Sequence, residues 1–206
     1  MPGHPAGFAN RKPPACIQGP MTDDEARWIA RAGEGDAVAF RRLVEVHAGA
    51  LYRVCARITG DKAIAEDAVQ EALVNAWRHL KDFDRRAAFS TWLHRIGINA
   101  ALEQLRRRGR GELALPEGDN EDDPVAAVAE SAAGPERHAR SAEIRRDVEA
   151  ELARMSVLER TAFVLRHHEG QSLEDISAVL SLNVGACKQA IFRAVRKLRL
   201  ALEPLG

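Results

Sequence analysis

Tyrosine occurs once in this chain of 206 residues, and aromatic residues together make up only 5% of it. Cysteine occurs three times, at Cys16, Cys55 and Cys187. These positions are far apart, odd in number and form no CxxC pair, so neither a disulfide framework nor a zinc site is indicated; a reducing cytoplasm fits. No apolar run approaches membrane-spanning length. Runs of β-branched residues alternating with polar ones are missing, so nothing in the pattern calls for a sheet. A glycine-rich phosphate loop and a nucleophile motif are both lacking. His167 and His168 are adjacent, so on a helix they point in different directions and make a poor metal pair. Together these absences count against an enzyme. Ala, Leu, Arg and Glu are abundant, and 46% of the residues are apolar, which predicts an all-α chain with enough apolar surface for two modest cores.

The formal net charge is zero, but it is unevenly spread. Residues 21–110 hold 16 basic and 13 acidic residues, 111–142 hold 2 basic and 8 acidic, and 143–206 hold 10 basic and 9 acidic. Overall neutrality therefore does not exclude a nucleic-acid partner, because association follows local fields.

The composition changes mark four segments. Residues 1–20 are rich in Pro and Gly, lack periodicity and lack the apolar core of a secretory signal, and are expected to be a disordered extension carrying little function. Met21 is the expected natural start, followed by a capping box at Thr22 and Glu25. From there to residue 110 helices follow closely. Asp36 caps a segment whose apolar face is Phe40, Leu43, Val44, His47, Leu51, Val54 and Ile58, ending at Gly60. Asp61 starts the next helix, with Ile64, Ala68, Leu73, Ala76, Trp77 and Leu80 inward and Glu66, Asp67, Gln70, Glu71 and Asn75 outward. A loop leads to Ser90, the expected cap of a helix carrying Trp92, Leu93, Ile96, Ala100 and Leu105 and ending in Arg106, Arg107 and Arg108. Residues 111–142 are acidic and broken by Pro116, Pro124 and Pro135, which reads as a flexible linker. A second helical domain spans 143–206, with a capping box at Ser156 and Glu159 before Phe163, Val164 and Leu165.

The end of that domain reads QSLEDISAVLSLNVGACKQAIFRAVRKLR, from Gln171 to Arg199. Ser172 caps a first helix, Ser181, Leu182 and Asn183 form a turn, and Asn183 caps a second helix. Val184, Cys187, Ile191, Ala194, Val195 and Leu198 recur at helical spacing. The other side carries Lys188, Gln189, Arg193, Arg196, Lys197 and Arg199 with no acidic residue among them. A buried stripe under a basic outer face is the pattern of a helix that enters a DNA major groove; the plain alternative is a helical hairpin with a solvated basic face.

The chain resembles the extracytoplasmic-function (ECF) group of bacterial sigma factors from Asp24 to Leu202. The carrying motifs are AEDAVQEALVNAW at Ala65–Trp77, FSTWLHRIGINAALEQLRRR at Phe89–Arg108 and the helix-turn-helix region Met155–Arg199. In that family they correspond to the polymerase-binding helix of region two, the melting and −10-recognition segment, and region four. The resemblance implies that Glu66, Asp67, Gln70, Glu71 and Asn75 dock on the β′ clamp helices of core RNA polymerase, that region four meets the β flap, and that a cognate anti-sigma factor covers these surfaces. It assigns the −10 element to Arg85, Arg86, Arg95, Asn99, Glu103, Arg106 and Arg107, and the −35 element to Asn183, Lys188, Gln189, Phe192, Arg193 and Arg196. Phe83, Phe89 and Trp92 offer stacking faces for bases, with core packing the stronger reading for Phe89 and Trp92. The acidic linker threads toward the polymerase active centre in this reading, and no cofactor or small-molecule substrate is implied.

Three departures stand out. The family's N-x-A-x-D reads Asn99, Ala101, Glu103 here. Ser177, Ser181 and Cys187 replace the common Ala, Gly and Val. The recognition helix lacks the family's S-V-G-T-V-K-S-R, with Asn183 to Ala190 in its place, and Phe192 takes an outward position that is usually polar. Two rival classes remain open: a one-component helix-turn-helix regulator that binds operators without polymerase, and a pure protein-interaction module. Addition of core polymerase separates them.

Overall fold

The computed structural model describes residues 23–85, 87–109 and 146–202. The expectations for the N-terminal extension, the start at Met21, Thr22, Arg86 and the linker lie outside the described residues. Every regular element among the described residues is helical, as composition predicts: α1 (Asp23–Gly33), α2 (Ala37–Thr59), α3 (Lys62–His79), a short 3-10 turn (Leu80–Asp82), α4 (Phe89–Arg107), α5 (146–154), α6 (Val157–Phe163), a π turn (Val164–His168), α7 (Leu173–Leu180) and α8 (Val184–Leu202).

Caps account for most of the boundaries. Asp36 Oδ1 accepts from the Val38 and Ala39 amides at 2.9 and 3.1 Å, and Asp61 Oδ1 accepts from Ala63 and Ile64 at 3.0 and 3.2 Å. These satisfy amides that have no partner within their own helix. The amide bonds, that from Ala39 foremost, and the Arg31 guanidinium hold the Asp36 carboxyl below its ordinary pKa. Gly60 closes α2 in the left-handed region at φ 63°, and Ser156 and Glu159 complete a reciprocal capping box. Ser90 does not cap α4. The helix begins two residues earlier than that cap would place it, at Phe89, with Ala88 in the cap position and no side-chain bond, so the hydroxyl lies inside the first turn. The Glu25 carboxylate meets His47 Nε2 at 3.0 Å, tying α1 to α2.

Helices α1 to α4 form the first unit. Small residues let α3 and α4 approach closely: Ala65, Ala68, Ala72 and Ala76 are fully buried on one face of α3, and Ala101 faces inward from α4. Gly97 is the tightest point. A Cβ there would stand 2.4 Å from Leu51 Cδ1 and 3.3 Å from Cys55 Sγ, both on α2. Trp77, expected inward, is 37% exposed and rests its ring on Phe40 at 5.0 Å; at about 100° per residue it falls on the side of exposed Glu66 and Gln70, away from the buried alanines.

Helices α5 to α8 form the second unit, with Ile176, Leu180, Cys187, Ile191, Ala194 and Leu198 between α6, α7 and α8. The sequence pattern anticipates an α-helix running on through Leu165. Instead the backbone widens to i→i+5 bonds, with the Glu169 amide donating to Val164 O at 3.0 Å. Ser181 takes the left-handed conformation at φ 56° in the helix-turn-helix turn, and Asn183 Oδ1 caps α8 through the Ala186 amide at 2.8 Å.

Gly97 and Gly49 give opposite expectations for the same substitution. Gly97→Ala forces a methyl into a closed contact, and overpacking of this kind costs about 1–3 kcal/mol, more than the roughly 1 kcal/mol that alanine's helix propensity returns. Gly49 is exposed in mid-helix, and a Cβ would meet only Arg53 Nη1 at 3.6 Å. Urea unfolding should therefore show a lower midpoint for Gly97→Ala and a higher one, by about 0.5–1 kcal/mol, for Gly49→Ala.

Candidate functional site

The polar side of α3 presents Glu66, Asp67 and Gln70 to solvent, with Glu71 and Asn75 half-buried beside them. Sequence reasoning treats this strip and the arginine-rich end of α4 as separate surfaces. The fold joins them. Asp67 Oδ2 accepts from Arg108 Nη2 at 2.5 Å, and Glu71 Oε2 accepts from Gln104 Nε2 at 2.9 Å with Arg107 Nη1 at 3.5 Å. Arg108, absent from the expected DNA-contacting set, is thus a direct neighbour of the acidic strip. Asp67 and the two arginines are exposed while Glu71 and Gln104 are half-buried, and pairs this open to solvent are worth only about 0–1 kcal/mol and exchange partners readily.

On α4, Arg95, Asn99, Glu103 and Arg106 fall within one narrow stripe, since helical residues turn by about 100° each. Asn99 and Arg106 are exposed, whereas Arg95 is half-buried. Glu103 is held by Arg106 at 3.7 Å and Arg107 at 3.2 Å, so its carboxylate faces its own arginines. Burial lowers the Arg95 pKa, and the Asp175 carboxylate of α7 opposes that shift. In the preceding loop Arg85 is exposed with φ 59°, an uncommon conformation for a residue with a side chain. Phe89 is 2% exposed and belongs to the core, with His47 against its edge at 5.2 Å. Phe83 and Trp92, half-buried, complete the cluster at 5.1 Å from one another, leaving part of each ring open.

The outer face of α8 carries exposed Lys188 and Arg196, with Gln189, Phe192 and Arg193 half-buried and Asn183 exposed at its start. Lys197 is committed elsewhere: its ammonium meets Glu159 Oε2 at 2.7 Å. Burial pushes the Glu159 carboxyl up, but Lys197 and the Ser156 bonds outweigh it and keep the pKa below its ordinary value. The basic face is therefore narrower than the sequence suggests.

A further set of polar groups was not legible in advance. Arg160, only 5% exposed, donates from Nε to Ile58 O at 2.9 Å and from Nη2 to Thr59 O at 3.1 Å, while Nη1 reaches Leu152 O and Ala153 O at 3.4 and 3.3 Å. One guanidinium thus closes the carbonyl ends of α2 and α5, which belong to different units. Glu169 Oε2 meets His94 Nδ1 at 2.8 Å, with both side chains almost fully buried. Burial, reinforced by the Glu169 carboxylate, pushes the Cys55 thiol up to about 12. These residues have no helical-period relation to one another, and a charged residue next to a capping box ordinarily reads as surface. Among the described residues no cluster of His, Cys, Asp and Glu could hold a metal ion, and no helix is long and apolar enough to cross a membrane. His167 and His168 both stack near Phe163, at 4.7 and 6.0 Å, rather than forming a pair.

Comparison with known proteins agrees with this architecture. The sigma-70 region 2 model matches residues 43–111, and the sigma-70 region 4 model matches residues 145–198. The RNA polymerase sigma-H factor of Pseudomonas aeruginosa is 35% identical over 188 residues, covering 89% of this chain and 96% of its own length. The ECF RNA polymerase sigma factor SigW of Bacillus subtilis is 30% identical, covering 86% and 96%. Among solved structures, CnrH bound to the cytosolic domain of CnrY is 29% identical with a TM-score of 0.53, covering 88% of this chain and 99% of that one. The sigma factor RpoE of Bartonella quintana, bound to the anti-sigma factor NepR, is 25% identical with a TM-score of 0.54, covering 80% and 96%. With both regions matched in order and relatives aligned along nearly their whole length, the chain belongs to the sigma-70 family of RNA polymerase sigma factors, in its extracytoplasmic-function group.

Proposed function

We propose that this sigma factor joins core RNA polymerase through the α3 strip, reads and holds an opened −10 element with α4 and its preceding loop, reads a −35 element with α8, and so starts transcription of a signal-dependent set of genes in the cytoplasm. The observation that carries the polymerase assignment is the α3–α4 charge pairing. Asp67 and Glu71 already bind guanidinium groups in their own chain. A basic partner surface such as the β′ clamp helices would meet carboxylates set at the spacing and exposure that such groups use, and complementary charge fixes register. Region four against the β flap completes the placement. The catalytic step is the polymerase's own, and neither a cofactor nor a small-molecule substrate enters this reading.

On the DNA side, melting without ATP needs a surface that holds the separated strand. Cations on the backbone and aromatic faces under the bases supply that. Arg85, Arg86, Arg95, Arg106 and Arg107 are the cations, Asn99 the base-edge reader, and the open parts of Phe83 and Trp92 the stacking faces. Domains at 21–110 and 143–206, separated by the acidic segment 111–142, fit this division of labour. The relatives solved with CnrY and NepR support a cognate anti-sigma partner for this chain as well. The same likeness argues against an operator-binding regulator that works without polymerase.

Charge reversal tests the α3 strip. Asp67→Lys with Glu71→Lys should leave helical content intact, since both residues lie outside the core and the pairs lost are worth little. Affinity for core polymerase, read by fluorescence anisotropy, should fall roughly tenfold or more, the equivalent of about 1.4 kcal/mol. Normal core binding by a folded double variant would remove this strip from the interface.

The recognition helix generates a second test. Arg193→Ala should weaken all promoters alike and flatten the salt dependence by about one unit per lost phosphate contact. Gln189→Ala should instead change which −35 sequences are preferred, by roughly 1–3 kcal/mol at one base pair if the amide pairs bidentately with adenine. Transcription from a library of −35 variants reads both. An unchanged preference profile for Gln189→Ala would transfer the reading role to Phe192.

A further inference from the structure

Gln189, Arg193 and Lys197 follow one another at four-residue intervals on α8, so they lie along one stripe of the helix, about 6 Å apart at 1.5 Å per residue. Gln189 and Arg193 belong to the face assigned above to the −35 element. Lys197 extends that face by one turn, past the N-terminal part of a recognition helix that reaches base edges. Its position and charge suit a contact to a backbone phosphate, which carries no sequence information.

The ammonium is instead drawn down against α6. Lys197 Nζ donates to Glu159 Oε2 at 2.7 Å, and the Glu159 side chain is only 2% exposed. The same oxygen accepts from the Ser156 amide at 3.2 Å and the Ser156 hydroxyl at 3.0 Å, so the cap of its own helix fixes the carboxylate in place. Burial raises the Glu159 carboxyl, but Lys197 and the Ser156 bonds lower it further, and it keeps its negative charge. This pair differs in kind from the exposed pairs between α3 and α4. There a phosphate can take an arginine and leave a solvated carboxylate behind. A phosphate that took Lys197 would strand an ionised carboxylate away from water, which is the costly way to break a buried pair.

We propose that Glu159 is a positioning residue for promoter binding: it holds Lys197 off the DNA and so removes one sequence-independent phosphate contact from the recognition helix. Region four then grips every promoter less tightly, and with a shallower dependence on salt, than the row of cations on α8 would allow. Contacts to base edges near the start of α8 are untouched, so the −35 preference stays as those contacts set it. The inference rests on the reading of α8 as the −35 helix.

Holoenzyme reconstituted from core polymerase and the full chain, titrated with a −35-bearing duplex over a series of salt concentrations, tests this. Glu159→Gln keeps a side-chain acceptor for the Ser156 cap and removes the charge that holds Lys197. Its plot of log affinity against log salt should steepen by about 0.9, as for one added phosphate contact, with roughly three- to tenfold tighter binding at low salt. Lys197→Ala alone should leave the slope of the unaltered holoenzyme where it is, and Glu159→Gln combined with Lys197→Ala should return the slope to that value. A flatter slope for Lys197→Ala alone, or an unchanged slope for a folded Glu159→Gln, overturns the inference. If Glu159→Gln loses helical content by circular dichroism, lysine modification of the unaltered holoenzyme decides: the duplex should protect Lys188 and leave Lys197 unchanged, and protection of Lys197 overturns the inference. Arg193→Ala is the reference for the underlying reading. A slope that it fails to flatten takes α8 off the DNA, a failure distinct from that of the Glu159 assignment.

Discussion

The close approach of α4 to α2 and α3 is the constraint on which the first unit depends. It exists because alanine and glycine, not larger residues, occupy the facing positions: Ala65, Ala68, Ala72 and Ala76 on α3, Gly97 and Ala101 on α4. Helices that pack at this distance carry their outer side chains into mutual reach. The Asp67–Arg108 and Glu71–Gln104 contacts are the result. Loosening the α3–α4 seam would therefore do more than lower stability. It would separate the acidic strip from the arginines beside it, and with them the two surfaces proposed above to bind polymerase and DNA.

Those exposed pairs matter through competition rather than strength. Each contributes little to folding, yet each occupies a carboxylate and a guanidinium on the surfaces proposed above for polymerase and DNA. On that proposal, a basic surface arriving at Asp67 and Glu71 competes with Arg107 and Arg108 for them, and a phosphate arriving at Arg107 competes with the Glu71 carboxylate. Exchange at the exposed Asp67–Arg108 pair costs little desolvation, because both groups are already wet. Protein and DNA contacts on region two would then help one another, the reciprocity expected of linked binding events.

How far the sequence could be read follows from which interactions are periodic. The helices, their Asp36, Asp61, Ser172 and Asn183 caps, and the inward stripe of α8 all follow from spacing, and the structure keeps each of them. Phe89 in the core was also legible, because an aromatic at the head of an apolar helix face ordinarily packs. Ser90 misled because a hydroxyl before a helix resembles a cap wherever the exact first turn falls; here Phe89 is drawn into the core and pulls the start forward. Trp77 misled because a large aromatic ordinarily packs inward, whereas its helical phase sets it beside exposed Glu66 and Gln70. The Arg160, His94 and Glu169 contacts lay beyond reach altogether. They join residues from about 75 to more than 100 positions apart in sequence, and no local pattern distinguishes a buried arginine from a solvated one.

The π turn at Val164–His168 carries a consequence for the length of this chain through evolution. A widened turn holds one residue more than an α-helix would need to cover the same rise, and such turns arise by single-residue insertion. Losing that residue would restore a regular helix and rotate everything after it by about 100°. Glu169 would then face away from His94, while the hydrophobic positions of α7 and α8, counted from their own caps, would keep their mutual packing. Removing one residue between Phe163 and Ser172 would thus keep the helix-turn-helix and lose the buried ion pair, so the length of this segment sets whether the two halves can join in this way.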